Sequence, residues 1–170
     1  YDYTIPYNED YYGIFVRKNS EVEEISDLSQ KRILTLRGDA SVSRFIRPMA
    51  LFNNTTLVNS LPEAIRRLSQ GEGDAVLAPY SIGMEAIENL QVRNVKTVGP
   101  SLMPILYRFA VKEGESELLS ILNDGIDAVK VSGEKEKLRE KWDFHQRNEV
   151  SLEKVIRYVG IGLIPLLLVI

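Results

Sequence analysis

The chain has 170 residues, 44% of them apolar and 26% charged, which is enough to bury the core of one or two compact lobes and excludes an intrinsically disordered chain. Its 21 basic and 24 acidic residues leave a net charge of −3 with no basic stripe, so a phosphate-neutralising surface and a nucleic-acid partner are excluded. Zero cysteines remove disulfides, thiolate catalysis and sulfur-ligated metals, and are neutral about compartment.

The chain opens at Tyr1 without an initiator methionine or a signal peptide and reads as a piece of something longer. "YYGIFVRK" (11–18) is aromatic and β-branched, a strand. "RILTL" (32–36) is a short apolar strand after "SDLSQK", a polar turn that Ser26 or Asp27 can cap. The turn "RGDAS" opens a helix expected to run to about Arg47, where Pro48 ends or kinks it. "TTLVNS" is a strand. "SLPEAIRRLSQG" is a helix with a capping box at Ser60 and Glu63, Pro62 in its first turn, Ile65 and Leu68 on one face, and Gly71 as its stop. "DAVLAP" is a strand, "SIGMEAIENL" a helix and "NVKTVG" a strand. Strands alternating with helices over 32–98 predict a parallel sheet covered on both faces, an α/β lobe.

After Pro100, "LYRFAVKEGE" echoes "YYGIFVRKNS" in its aromatic, apolar and basic positions. The two segments are expected to bracket the lobe, one strand entering and one returning. A helix follows with Leu118, Ile121, Leu122, Ile126 and Val129 on its buried side, then a second helix into Trp142. Neither helix has a sheet of its own to cover, so their partner is expected upstream of Tyr1.

Five blocks in this order, "YDYTIPYNEDYYGIFVRKNS", "ISDLSQKRILTLRGDASVSRFI", "LPEAIRRLSQGEGDAVLAP", "YRFAVKEGESELLSILNDGIDAV" and "SGEKEKLREKWDF", resemble the family 3 extracellular solute-binding proteins over Tyr1 to about Phe144. The resemblance implies an α/β, periplasmic binding protein-like fold of type II. Two lobes joined by two crossover strands close on a small solute, and the N-terminal part of lobe 1 is missing here. On that reading residues 1–17 end lobe 1 and form the first crossover strand, and 18–100 are lobe 2. Residues 101–144 return to the C-terminal helices of lobe 1. Residues 145–158 are a juxtamembrane helix and 159–170 begin a truncated transmembrane helix.

The resemblance places solute contacts on Leu36, Gly38, Asp39, Ala40, Ser41 and Pro79. In the family, the hydroxyls and amides of the segment matching "LRGDAS" hold a carboxylate, and a helix N-terminus suits an anion. Asp39, however, stands where Ser or Thr is common, and Ala40 occupies the next such position. The family's amine-binding aspartate falls on Pro79, whereas Asp74 matches an aspartate that is usually structural. Both handles for an α-amino acid are therefore altered. The solute is expected not to be an ordinary amino acid, or the pocket no longer binds one; a cationic or neutral solute would satisfy Asp39. Alternatively, Asp39 caps its helix.

Other motifs carry less. "RGD" at 37–39 spells an adhesion tripeptide that the turn already explains, and "NNTT" at 53–56 contains glycosylation sequons that matter only in a eukaryotic secretory host. His145, among Asp143, Gln146 and Arg147, reads as solvated. No nucleophile with a base, phosphate-cradling loop or metal cluster emerges, so no catalytic residue, metal or cofactor is expected and the chain is not expected to be an enzyme.

The residues 159–170, "VGIGLIPLLLVI", have no charged or hydrogen-bonding side chain. As a helix they would span about 18 Å, whereas a bilayer core needs about 20 residues. A buried terminal helix or strand would normally show polar residues at a regular period, and none interrupts the run, which therefore reads as the start of a membrane span. This is similar to membrane-bound bacterial sensors whose solute-binding domain lies in the periplasm or extracellular space, joined by one span to a kinase or diguanylate cyclase inside, with a homodimer compatible. Two alternatives stay open: the binding component of an amino-acid transporter, with or without a fused permease, and the non-catalytic domain of a murein lytic transglycosylase.

Overall fold

The computed structural model describes residues 1–138 and 141. Contacts divide the chain into two units, Tyr1–Leu119 and Ser120–Ile170. In the first, β1 (Asp2–Tyr3) pairs antiparallel with β7 (Ala110–Val111). A five-stranded sheet is formed by β2 (Asn8–Arg17), β3 (Ile33–Leu36), β4 (Thr55–Val58), β5 (Ala75–Pro79) and β6 (Val95–Tyr107), in the order β4-β3-β5-β2-β6.

The sheet is mixed, which corrects the all-parallel expectation. β3 runs parallel to β4 and β5, while β2 lies antiparallel between β5 and β6. β3 to β6 therefore all point one way, as alternation with helices requires. What alternation could not reveal is that a strand from before the repeat slots between its last two members.

Side chains alternate between two cores. Phe15, Leu34, Val76 and Ala78 face α1 (Leu61–Gln70) and α2 (Tyr80–Asn89), which contribute Leu61, Ala64, Ile65, Leu68 and Ala86. Ile14, Val16, Ile33, Ala75 and Leu77 face Val22, Leu28, Ile46 and Leu51. The period of two along each strand puts neighbours on opposite faces, so both faces are covered. α2 approaches so closely that a Cβ on Gly83 would lie 2.1 Å from the Phe15 ring.

α1 begins and ends where the sequence predicts. The Ser60 hydroxyl accepts the Glu63 N–H at 3.3 Å, and Gly71 closes the helix at φ 85°, where a side chain would be strained. The Glu63 carboxylate reaches the N–H of Asn59 at 3.3 Å rather than that of Ser60. In the polar turn before β3, Asp27 caps by reaching back to the N–H groups of Glu23 and Glu24 at 2.9 and 3.0 Å.

Three other expectations are corrected. The helix after "RGDAS" is a short π turn, Val42–Ile46, with five-residue bonds from the N–H of Arg47 to Val42 and of Leu51 to Ile46. Pro48 has no N–H to continue an α ladder, and the Ser43 hydroxyl already binds the Ala40 carbonyl. β6 does not stop at Gly99 but runs through Pro100 and Pro104 to Tyr107, because it is an edge strand and needs donors on one side only. The third concerns α3 (Ser116–Ser132). Its residue Ile126 is buried and Leu122 half-buried, but Leu118, Ile121 and Val129 are 46%, 59% and 47% exposed. The apolar stripe exists, but three of its five residues are exposed. Residues 134–138 and 141 are helical. Trp142, His145 and the segments 145–158 and 159–170 lie outside the described residues. Among the described residues no helix is long and apolar enough to cross a membrane.

Candidate solute-binding site

In sheets whose parallel strands alternate with helices, ligands sit beyond the carboxyl ends of the strands. That end of β3 and β5 is where the sequence-predicted contacts gather. Leu36 closes β3, and Gly38 turns the chain at φ 78°. The Asp39 N–H then donates to the Leu36 carbonyl at 3.1 Å, and the Asp39 carbonyl accepts from Val42 at 3.2 Å. Leu36 and Asp39 are half-buried and Gly38 and Ala40 exposed, while Ser41 is fully buried. Pro79, half-buried, closes β5 opposite Tyr12 and precedes the first turn of α2.

Ser41 points inward. Its hydroxyl lies 2.7 Å from that of Thr35, which donates to the Leu77 carbonyl at 3.0 Å. Thr35 has one proton and spends it on Leu77, so Ser41 must be the donor of the pair. The loop is thereby tied through β3 to β5. Ser41 shapes the site through this tie and through its N–H, which donates to Asp39 Oδ1 at 2.8 Å.

Asp39 Oδ2 accepts the Tyr12 hydroxyl at 3.2 Å. Burial pushes the Tyr12 phenol above its ordinary pKa, and the neighbouring Asp39 charge raises it further, since a second anion there would be repelled. Tyr107 is raised in the same way, first by burial and then by the charges of Asp10, Tyr7 and Asp39. Phe45 packs edge-on against the Tyr12 ring with centroids 5.4 Å apart. An open concavity of about 590 Å³ adjoins the loop, with Gly38, Asp39, Ala40, Arg47 and Phe52 in its lining.

Pro79 offers the start of α2 no side-chain cap. Asp10 does so from β2. It is buried, accepts the Ser81 hydroxyl at 2.5 Å and the Ser81 N–H at 3.3 Å, and its other oxygen takes the Tyr11 N–H at 2.8 Å. A carboxylate at a helix start is favoured by the dipole as well as by these bonds. Sequence reasoning missed Asp10, Tyr12, Thr35 and Tyr107. The first sits in "NEDYYG" beside another acid with no local mark, and the rest look like ordinary strand residues. Only pairing brings them to one end of the sheet. Among the described residues no acidic or histidine cluster is suited to a metal ion.

The model of the bacterial extracellular solute-binding proteins, family 3, matches residues 1–146. The glutamine-binding protein GlnH of an ABC transporter from Bacillus subtilis is 28% identical over 144 residues, covering 83% of this chain and 51% of its own length. A probable histidine-binding protein of Neisseria gonorrhoeae is 26% identical over 150 residues, covering 83% and 54%. The chain thus spans about half the length of the curated relatives it matches. Among solved structures, a histidine kinase sensor domain with similarity to periplasmic binding proteins superposes with a TM-score of 0.72 at 25% identity, covering 83% of this chain and 62% of that one. An ancestral arginine-binding protein bound to arginine gives 0.70 at 28%, covering 83% and 63%. The fold is α/β and periplasmic binding protein-like of type II. The match over residues 1–146 and the shared fold agree: this chain belongs to the family 3 bacterial extracellular solute-binding proteins.

Proposed function

We propose that this chain is the solute-recognition part of an extracytoplasmic sensor held at the cell membrane, with Leu36, Gly38, Asp39, Ala40, Ser41 and Pro79 at or beside the solute. The carrying observation is in the sequence: the uncharged run 159–170 follows the binding-protein blocks after only a short polar stretch. The likeness to a histidine kinase sensor domain supports the same reading. A small solute would favour the closed cleft by its differential affinity for the two states, and the C-terminal helices would carry that movement to the span. A few kcal/mol of difference is enough to shift the population.

Membrane fractionation of the chain at its natural length tests the attachment. The protein is expected in the pellet after an alkaline wash, and release into the soluble fraction would overturn the sensor reading. A transporter role is the second reading, favoured by the relative named as a glutamine-binding component of an ABC transporter. Solute-dependent uptake without any change in a signalling output would establish it instead.

A further inference from the structure

The loop 37–42 is built to a different electrostatic plan from an anion cradle. Such a cradle presents unused N–H groups. Here the N–H of Arg37 goes to the Val58 carbonyl, that of Asp39 to Leu36, that of Ser41 to Asp39 Oδ1 and that of Val42 to the Asp39 carbonyl. Four of the donors in the turn are thus consumed by the protein. The Ser41 hydroxyl is consumed as well, by Thr35.

In their place the loop holds a carboxylate. Each Asp39 oxygen accepts one bond, from Ser41 N–H and from the Tyr12 hydroxyl, and each retains accepting capacity. Among the described residues no lysine, arginine or histidine forms an ion pair with Asp39. The second charge at this end, Asp10, is likewise bound only to neutral donors. Neither of these two carboxylates forms an ion pair among the described residues, and the one cation in the lining of the concavity beside Asp39, Arg47, is not bonded to it. At position 79, proline provides neither charge nor donor for an ammonium group.

Resting on the reading of this sheet end as the solute cleft, we propose that its ligand is an organic cation lacking an α-carboxylate, an aliphatic amine or guanidinium, whose charged head binds Asp39. The subsite that would meet a carboxylate instead meets a cation. An α-amino acid brings its carboxylate against Asp39 and finds four of the six N–H groups of residues 37–42 already used.

Two pairs of probes that differ only by the carboxylate test this by calorimetry on the chain at its natural length: agmatine against arginine, and cadaverine against lysine. The decarboxylated member of a pair is expected to bind at least about tenfold more tightly, as one charge-assisted hydrogen bond allows. Asp39→Asn should erase that preference and Asp39→Thr should reverse it, with melting temperatures confirming that both variants fold. Arginine or lysine binding as tightly as its partner in the unaltered protein overturns the cation assignment and leaves the cleft reading standing. If all four probes fail while glutamine or another amino acid binds, the assignment also falls and the cleft survives. If no probe and no amino acid binds, both fall.

Discussion

The two ends of the central sheet each carry an aspartate beside a turn, and the protein treats them oppositely. At the amino end of β5, Asp74 accepts the Arg32 N–H and Nε at 3.0 Å each and Arg32 Nη2 at 2.8 Å, with Arg17 Nη2 at 3.3 Å. Arg17 in turn binds the carbonyls of Leu68 and Gly73. At the carboxyl end of β3, Asp39 is bonded to a phenol and an amide and forms no ion pair among the described residues. A carboxylate saturated by two guanidiniums fastens strands together. One held by neutral donors keeps its charge available for something that arrives later.

That contrast predicts unequal consequences. Asp74→Asn should cost about 2 kcal/mol in urea denaturation, because several charge-assisted bonds weaken at once around a carboxylate only about a quarter exposed, the share of the more exposed Arg32 being screened by solvent. The hydrogen bonds from Arg32, aided by Arg17, hold the Asp74 carboxyl well below the ordinary carboxylate range. A lowered folded value means that the unfolded chain takes up its proton first as the pH falls. The stabilisation is therefore complete above the unfolded pKa near 4 and declines as the pH drops below it. The unaltered and Asp74→Asn proteins should converge in stability under acid. A constant gap between their curves would show that the pair contributes through packing, not charge.

Thr35→Val comes next, at about 1–2 kcal/mol. It deletes the hydroxyl that ties Ser41 to Leu77 and leaves the buried Ser41 donor without an acceptor. Ser41→Ala should cost less, since it removes a donor and strands nothing that lacks another partner. The order of the two midpoints in denaturant checks the direction assigned to that bond.

Much of this was legible in the chain. α1 announces itself because Ser60, Pro62 and Gly71 act on the backbone within a few residues, and β3 and β5 do so because buried parallel strands are short apolar runs. The length of β6 was hidden, since proline ends a strand only where both edges need donors, and edge position is a property of the whole sheet. Of the site, the loop at 36–41 could be found from its resemblance to the family, and the oddity of Asp39 with it. Its surroundings could not. Tyr12 lies 27 residues from Asp39, and Asp10 lies 71 from Ser81, so only the placement of β2 between β5 and β6 makes them neighbours.

The smallest effect on stability is expected from Asp39→Asn, and its smallness is the point of the comparison. The amide keeps an oxygen for the Ser41 N–H or the Tyr12 hydroxyl, and no ion pair among the described residues is broken, so the midpoint in urea should move by less than about 1 kcal/mol. The phenol should respond more clearly. Burial keeps the Tyr12 pKa high in either protein, but the Asp39 charge adds to it and is absent from the variant. Ultraviolet difference titration of tyrosinate should therefore find phenol ionisation moving to lower pH in Asp39→Asn, and a Tyr12→Phe background should remove most of that shift, leaving only the smaller response of Tyr107. A loss of stability as large as that of Asp74→Asn would make Asp39 a second structural fastening and remove the reason for reserving its charge for a solute.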